Sequence, residues 1–64
     1  MKKYIVCWME YGKEEIELID NYAVFIEDDS ETNFILANDV YNKLLEENNV
    51  YSVNLTEIIK SSDY

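Results

Sequence analysis

Residues 4 to 11 read Tyr-Ile-Val-Cys-Trp-Met-Glu-Tyr, Gly12-Lys13 follows, and residues 14 to 19 read Glu-Glu-Ile-Glu-Leu-Ile. The first segment is dense in β-branched and aromatic side chains, which suit a pleated, half-buried strand. A glycine opening a two-residue connection marks a tight hairpin. That turn pairs Tyr11 with Glu14, Met9 with Ile16 and Cys7 with Leu18, and directly opposed residues share a face. One face then holds Ile5, Cys7, Met9, Ile16 and Leu18. The other holds Tyr4, Val6, Trp8 and Ile19, interrupted by Glu10, Glu15 and Glu17.

Downstream of the hairpin, Asp20-Asn21 reads as a second turn leading into the apolar run Tyr22-Ala-Val-Phe-Ile26, a third strand. Carrying the register forward puts Ala23 and Phe25 on the first face and Tyr22, Val24 and Ile26 beside Trp8 on the second. Ser30 is the predicted helix N-cap, with Glu31 in the first turn where the helix dipole favours an acid. Ala37, Val40, Tyr41, Leu44 and Leu45 recur at helical spacing as far as Asn48-Asn49, where an Asn in the left-handed conformation would end the helix. An alternative reading makes Asn33 to Leu36 a short strand and caps the helix at Asn38. Residues 50 to 55 alternate again, with Tyr51, Val53 and Leu55 on one side, and Thr56 to Ile59 read as a terminal helical turn. The expected fold is therefore α+β: a three- to four-stranded, mainly antiparallel sheet in the order β-β-β-α-β, with one amphipathic helix on one face. One helix cannot cover two apolar faces, so one of them, the Trp8 set or the Cys7 set, is left for the C-terminal segment, a second copy or a partner.

The chain has 64 residues and a formal net charge of −9, from 14 Asp and Glu against 5 Lys, with neither Arg nor His. So short a chain is read as one domain, residues 1–64, and a domain of this size buries only about 60% of the surface its unfolded chain exposes. With 48% hydrophobic and 14% aromatic residues, it is nonetheless too apolar for a disordered acidic tail. The single Cys7 cannot form an internal disulfide, and the opening apolar run meets Glu10 too early for a signal peptide or a membrane span, which predicts a cytoplasmic setting.

Chemistry-bearing patterns are few. Without His, and with Cys7 on a strand, the usual routes to an activated nucleophile or proton shuttle are missing. Without Arg the usual clamp for phosphate or carboxylate is missing too, so the chain is read as non-enzymatic and Cys7 as a buried strand residue. Glu27-Asp28-Asp29-Ser30-Glu31 offers oxygen ligands but lacks the acid alternation and the glycine of the twelve-residue calcium loop. No metal or other cofactor is expected. The same acids serve as a solvated, helix-capping loop or as a partner contact. Glu46 and Glu47 fall in the last turn of the expected helix, where the dipole disfavours acids. Either Lys43 and nearby groups compensate them, or they form with Asp28, Asp29 and Glu31 a two-ended anionic array about 25 Å long at ~1.5 Å per residue. Trp8 with Tyr4, Tyr11, Tyr22, Tyr41 and Tyr51 forms an aromatic set that either fills the core or, being of the kind enriched at binding hot spots, contacts a partner. Direct nucleic-acid binding is disfavoured, because single-strand binders pair such rings with a basic groove.

This acidic, Tyr- and Asn-rich character resembles that of the small inhibitors phages use against host defences, such as anti-CRISPR and anti-restriction proteins. It is also similar to short phage antitoxins in which a strand pair precedes one amphipathic helix and a final strand, here Val50-Tyr51-Ser52-Val53. The resemblance implies a phage-encoded, DNA-mimicking protein acting in the host cytoplasm, whose partner is a protein with a basic nucleic-acid-binding groove. The candidate contact residues are Trp8, Tyr4, Tyr22, Asp28, Asp29, Glu31, Glu46 and Glu47. The rival expectation is a small homodimeric structural or regulatory protein whose acids serve only solubility.

Overall fold

The computed structural model describes residues 1–13 and 17–60. Strands β1 (Tyr4–Tyr11) and β2 (Leu18–Phe25) are followed by helix α1 (Ser30–Leu45) and strand β3 (Val50–Glu57). The three strands form one antiparallel sheet in the order β2-β1-β3. The fold is α+β, and its order is β-β-α-β rather than β-β-β-α-β.

The difference lies between residues 12 and 25. Tyr11 pairs with Leu18, Met9 with Asp20 and Cys7 with Tyr22, four residues beyond the register of a two-residue turn. The connection runs from Gly12 to Glu17 and is closed by the Gly12 N–H donating to the Glu17 carbonyl at 2.8 Å. Gly12 does not take a positive φ, so the conformational reason for reading a tight turn there is absent. The expected pairing partners Glu14 and Ile16 lie outside the described residues. Asp20-Asn21 is no turn at all, but the middle of β2. One continuous eight-residue strand opposite the whole of β1 satisfies more ladder groups than two short strands separated by a turn, and backbone pairing favours it.

The slip by an even number of residues leaves Leu18 with Cys7 and Ile19 with Trp8, as read from the sequence. Removing the turn reverses everything after it: Tyr22 and Val24 join the Cys7 face, while Ala23 and Phe25 join the Trp8 face.

β3 adds to the other side of β1 and is longer than expected. Thr56 and Glu57 continue the strand opposite Ile5 and Tyr4, and the Ile58 N–H donates to the Lys3 carbonyl at 2.8 Å. Backbone that finds partners in a ladder does not coil, so the terminal helical turn expected from Thr56 is not formed. A register shift between Met9 and Glu10 makes Tyr51 the extra residue, because Met9 faces Ser52 and Glu10 faces Val50. This bulge separates Tyr51 from the alternation of Val53 and Leu55.

The helix cap lies one residue earlier than expected. Asp29 is the N-cap, its carboxylate accepting from the Thr32 N–H, and Ser30 is the first helical residue. The Ser30 Oγ instead accepts from the Lys2 N–H at 2.6 Å. At the other end the helix stops at Leu45, with Glu46 as C-cap in the right-handed region. Asn48 and Asn49 do not take the left-handed conformation; no described residue does. The last turn closes through the Glu46 and Glu47 N–H groups, which reach the Lys43 and Leu44 carbonyls at 3.2 Å. The alternative strand at Asn33 to Leu36 is excluded, since all four residues are helical.

The core is thin. Val6 on β1 and Ala37 on α1 are fully buried, joined by Asn33 at 1% exposure. Around them Tyr4, Trp8, Ala23, Phe25, Val40, Tyr41, Leu44, Val53 and Leu55 are half-buried. Tyr4 meets Phe34 edge to face at 5.4 Å, which fixes the helix on the Trp8 side of the sheet. Leu45, read as part of the helix's apolar stripe, is 57% exposed because the stripe runs out before the helix ends. The molecule measures 40 × 26 × 14 Å, and its smallest dimension has room for one sheet and one helix, which pack about 10 Å apart.

Candidate functional site

Asn33 organises one end of the acidic helix. Its Nδ2 donates to the Lys2 and Asp28 carbonyls at 2.9 and 2.8 Å, and its Oδ1 accepts from the Asp28 N–H at 3.1 Å. Three hydrogen bonds to backbone pin the N-terminal segment and the β2–α1 loop against the first turn of α1. That bracket fixes the loop carrying Asp28 and Asp29. No sequence motif announces Asn33, because its partners are main-chain groups 5 and 31 residues away.

Asp28, Asp29 and Glu31 are all exposed at this end, and Glu46 and Glu47 are exposed at the other. All five are therefore open to contact. Asp29 accepts from the Thr32 N–H at 2.8 Å and from the Thr32 hydroxyl at 3.1 Å. The backbone bond, with the hydroxyl second, holds its carboxyl below the ordinary carboxylate range. A depressed folded-state pKa contributes stability above the ordinary pKa that is lost as pH falls through the folded value. Asp29→Asn keeps a competent cap without the charge. Its melting temperature should lie at or slightly below the parent's at pH 7, and the variant should gain on the parent as pH falls below about 4, where the parent's carboxyl takes up its proton. Thermal melts across that range check it; a gap that never changes with pH removes Asp29 as a charged cap.

Lys43 does not compensate Glu46 and Glu47 in this structure. Its ammonium lies 4.0 Å from Asp39, one turn back, both side chains being well exposed. Glu31 and Asp39 on the helix and Glu46 at its C-cap are all exposed, as is Ile35 at 55%.

The aromatic candidates are split by the sheet. Tyr4 and Trp8 lie on the helix side and are half-buried, and the Trp8 Nε1–H donates to the Glu10 carboxylate at 2.9 Å. Tyr22, expected beside them, stands on the opposite face and is 71% exposed. They do not form one patch.

The face without the helix is the one that carries Cys7. Cys7 is exposed, not buried as expected, since alternation defines two faces without saying which the helix will take. Around it lies a shallow concavity of about 740 Å³, with Ile5, Met9, Tyr22, Val24 and Ile58 in its lining. A further aromatic pair, Tyr11 with Tyr51, meets edge to face at 5.6 Å. It depends on the bulge that displaces Tyr51, and no sequence pattern predicts that.

Among the described residues no group of three or more His, Cys, Asp or Glu side chains is arranged to hold a metal ion, and no helix is long and apolar enough to cross a membrane. Fold and surface together define a small two-layer α+β domain with an acidic helical side and an open sheet face. No protein-family model matches the chain, and no curated protein or solved structure matches it either.

Proposed function

We propose that the protein is a non-enzymatic inhibitor that occupies the basic nucleic-acid-binding groove of another protein with the acidic side of α1. The observation that carries this reading is the placement of exposed acids at both ends of the helix, including two at the end where they cost stability. Acids at a helix C-terminus oppose the dipole by a few tenths to about 1 kcal/mol each, and Lys43 is turned toward Asp39 instead. Over the roughly 25 Å of the array, duplex DNA carries about fifteen phosphates, so a carboxylate array can compete for the cations that bind them. Electrostatic attraction of this kind accelerates encounter and fades with salt. The acidic character fits a phage-encoded inhibitor of a host defence enzyme that handles nucleic acid.

The test exchanges Glu46 and Glu47 together for Gln. Melting temperature should hold or rise slightly, while affinity for a nucleic-acid-binding protein captured from host lysate falls on the order of tenfold at low salt. Duplex DNA should displace the parent from the same protein. Equal binding by the parent and the double variant at low salt would reduce these acids to a solvated helix end.

A further inference from the structure

We infer that the outer edge of β2 is a docking site for an extended, basic segment of another protein, which adds to the sheet as a further strand. The inference uses the rim of the sheet and does not depend on the inhibitor reading.

The ladder bonds fix which backbone groups the edge offers. In an antiparallel pair, opposed residues alternate between those that exchange both backbone hydrogen bonds and those that exchange none. Gly12 and Glu17 continue the β1–β2 register, and the Gly12 N–H donates to the Glu17 carbonyl. The bonded pairs within the strands are therefore Glu10 with Ile19, Trp8 with Asn21, Val6 with Ala23 and Tyr4 with Phe25. The β3 side agrees, since the Tyr11 N–H donates to the Asn49 carbonyl and the Lys3 carbonyl accepts from the Ile58 N–H. Odd-numbered residues of β1 point to β3 and even-numbered ones to β2. The N–H and C=O groups of Leu18, Asp20, Tyr22 and Val24 thus point away from β1. β2 ends the sheet, and among the described residues no hydrogen bond reaches these groups.

Such edges are ordinarily blunted by a bulge, a proline or a lysine. β3, the other edge, carries the bulge at Tyr51. β2 pairs along its whole length without a register shift and contains neither proline nor lysine. A regular, unpaired edge of this kind is complementary to the backbone of one more extended chain.

Charge selects which chain. Residues 17 to 29 include Glu17, Asp20, Glu27, Asp28 and Asp29 and no Lys. Asp20 is exposed and has no ion-pair partner among the described residues. A second copy would bring a charge of −9 and the same acids to this edge, and like charges opposed across strands are destabilising. A strand with Lys or Arg opposite Asp20 gains instead. On the same face Leu18, Tyr22 and Val24 are 44%, 71% and 45% exposed, so apolar residues on either side of that cation find apolar cross-strand partners.

The probe is the end-capped peptide Val-Thr-Val-Thr-Lys-Thr-Val. In antiparallel register its Lys faces Asp20 and its Val residues face Leu18, Tyr22 and Val24. Amide hydrogen exchange followed by NMR reads the outcome residue by residue. In the free protein Ile19, Asn21, Ala23 and Phe25 should be protected, and Leu18, Asp20, Tyr22 and Val24 should exchange fast. Millimolar peptide should slow the second set. The same peptide with Glu in place of Lys should bind about threefold more weakly at low salt, and Asp20→Lys should reverse that preference. Tyr22→Pro removes an outward N–H and no ladder bond, which an edge strand tolerates, so it should keep the parent's far-UV spectrum and lose the peptide-induced protection. Outward amides that exchange as fast with the peptide as without it overturn the inference, as do Lys and Glu peptides that bind the parent alike. Protection that grows with protein concentration alone also overturns it, because a second copy then takes the edge. If Tyr22→Pro does not fold, Asp20→Lys decides: an unreversed preference overturns the inference.

Discussion

Asn33→Leu should lower the stability of this domain by about 3 kcal/mol, with a melting temperature down on the order of 15 °C. The side chain is 1% exposed, and leucine keeps its branching at Cγ but is larger, so the loss combines the missing hydrogen bonds with some overpacking. Removal of the amide leaves the Asp28 N–H without its acceptor and the Lys2 and Asp28 carbonyls without their donor. Each net bond is worth about 1 kcal/mol, and more where the orphaned group stays dry. A domain of this size has only about 3 to 10 kcal/mol in total, so the variant sits near the edge of folding at 37 °C. Asn33→Asp makes a sharper version. It keeps the shape but turns a carboxylate oxygen toward the two carbonyls, which raises the pKa of the new acid. A raised folded-state pKa contributes stability below the unfolded value that is lost as pH rises through the folded one. Asn33→Asp should therefore melt closer to the parent at pH 4 than at pH 7. If both variants melt within a few degrees of the parent at pH 7, Asn33 is not the bracket that holds the loop.

Asn33 also marks where sequence reasoning stops. Its neighbours in the chain, Thr32 and Phe34, say nothing of a partner at Lys2. A helical Asn is simply a position of poor propensity until the N-terminal segment is laid beside it. Alternation fares better. In β1 it separates Ile5, Cys7 and Met9 from Tyr4, Val6 and Trp8, because a strand has no other way to place successive side chains. Even a hairpin register four residues in error preserves this separation for Leu18 and Ile19, since four is even. The error that matters is Asp20-Asn21: two residues with strong turn preference sit inside a strand, held there by pairing with Met9 and Trp8. Local propensity loses to the ladder, and Tyr22 moves to the other face. The acids of the helix ends were legible because charge needs no tertiary context to be exposed. The choice of which sheet face the helix covers was not legible, because both faces are apolar and the decision rests on tertiary contacts such as that of Tyr4 with Phe34 on α1.

Trp8→Ala tests that choice directly. Trp8 is the sole tryptophan and stands half-buried on the helix side, so truncating it removes a large fraction of the apolar surface between sheet and helix. Full burial would put the cost at about 3 to 5 kcal/mol. Partial exposure places the expected loss at the lower end, about 3 kcal/mol, or on the order of 15 °C in melting temperature. Trp8→Phe keeps most of the ring and gives up only the Nε1–H bond to Glu10, at 2.9 Å and part-buried, so it should cost about 1 kcal/mol. The pair of variants separates packing from hydrogen bonding at one position. A control sits on the other face: Tyr22→Asp, at a position 71% exposed, should melt within a few degrees of the parent. A Trp8→Ala chain that also melts with the parent would place the helix on the Cys7 face.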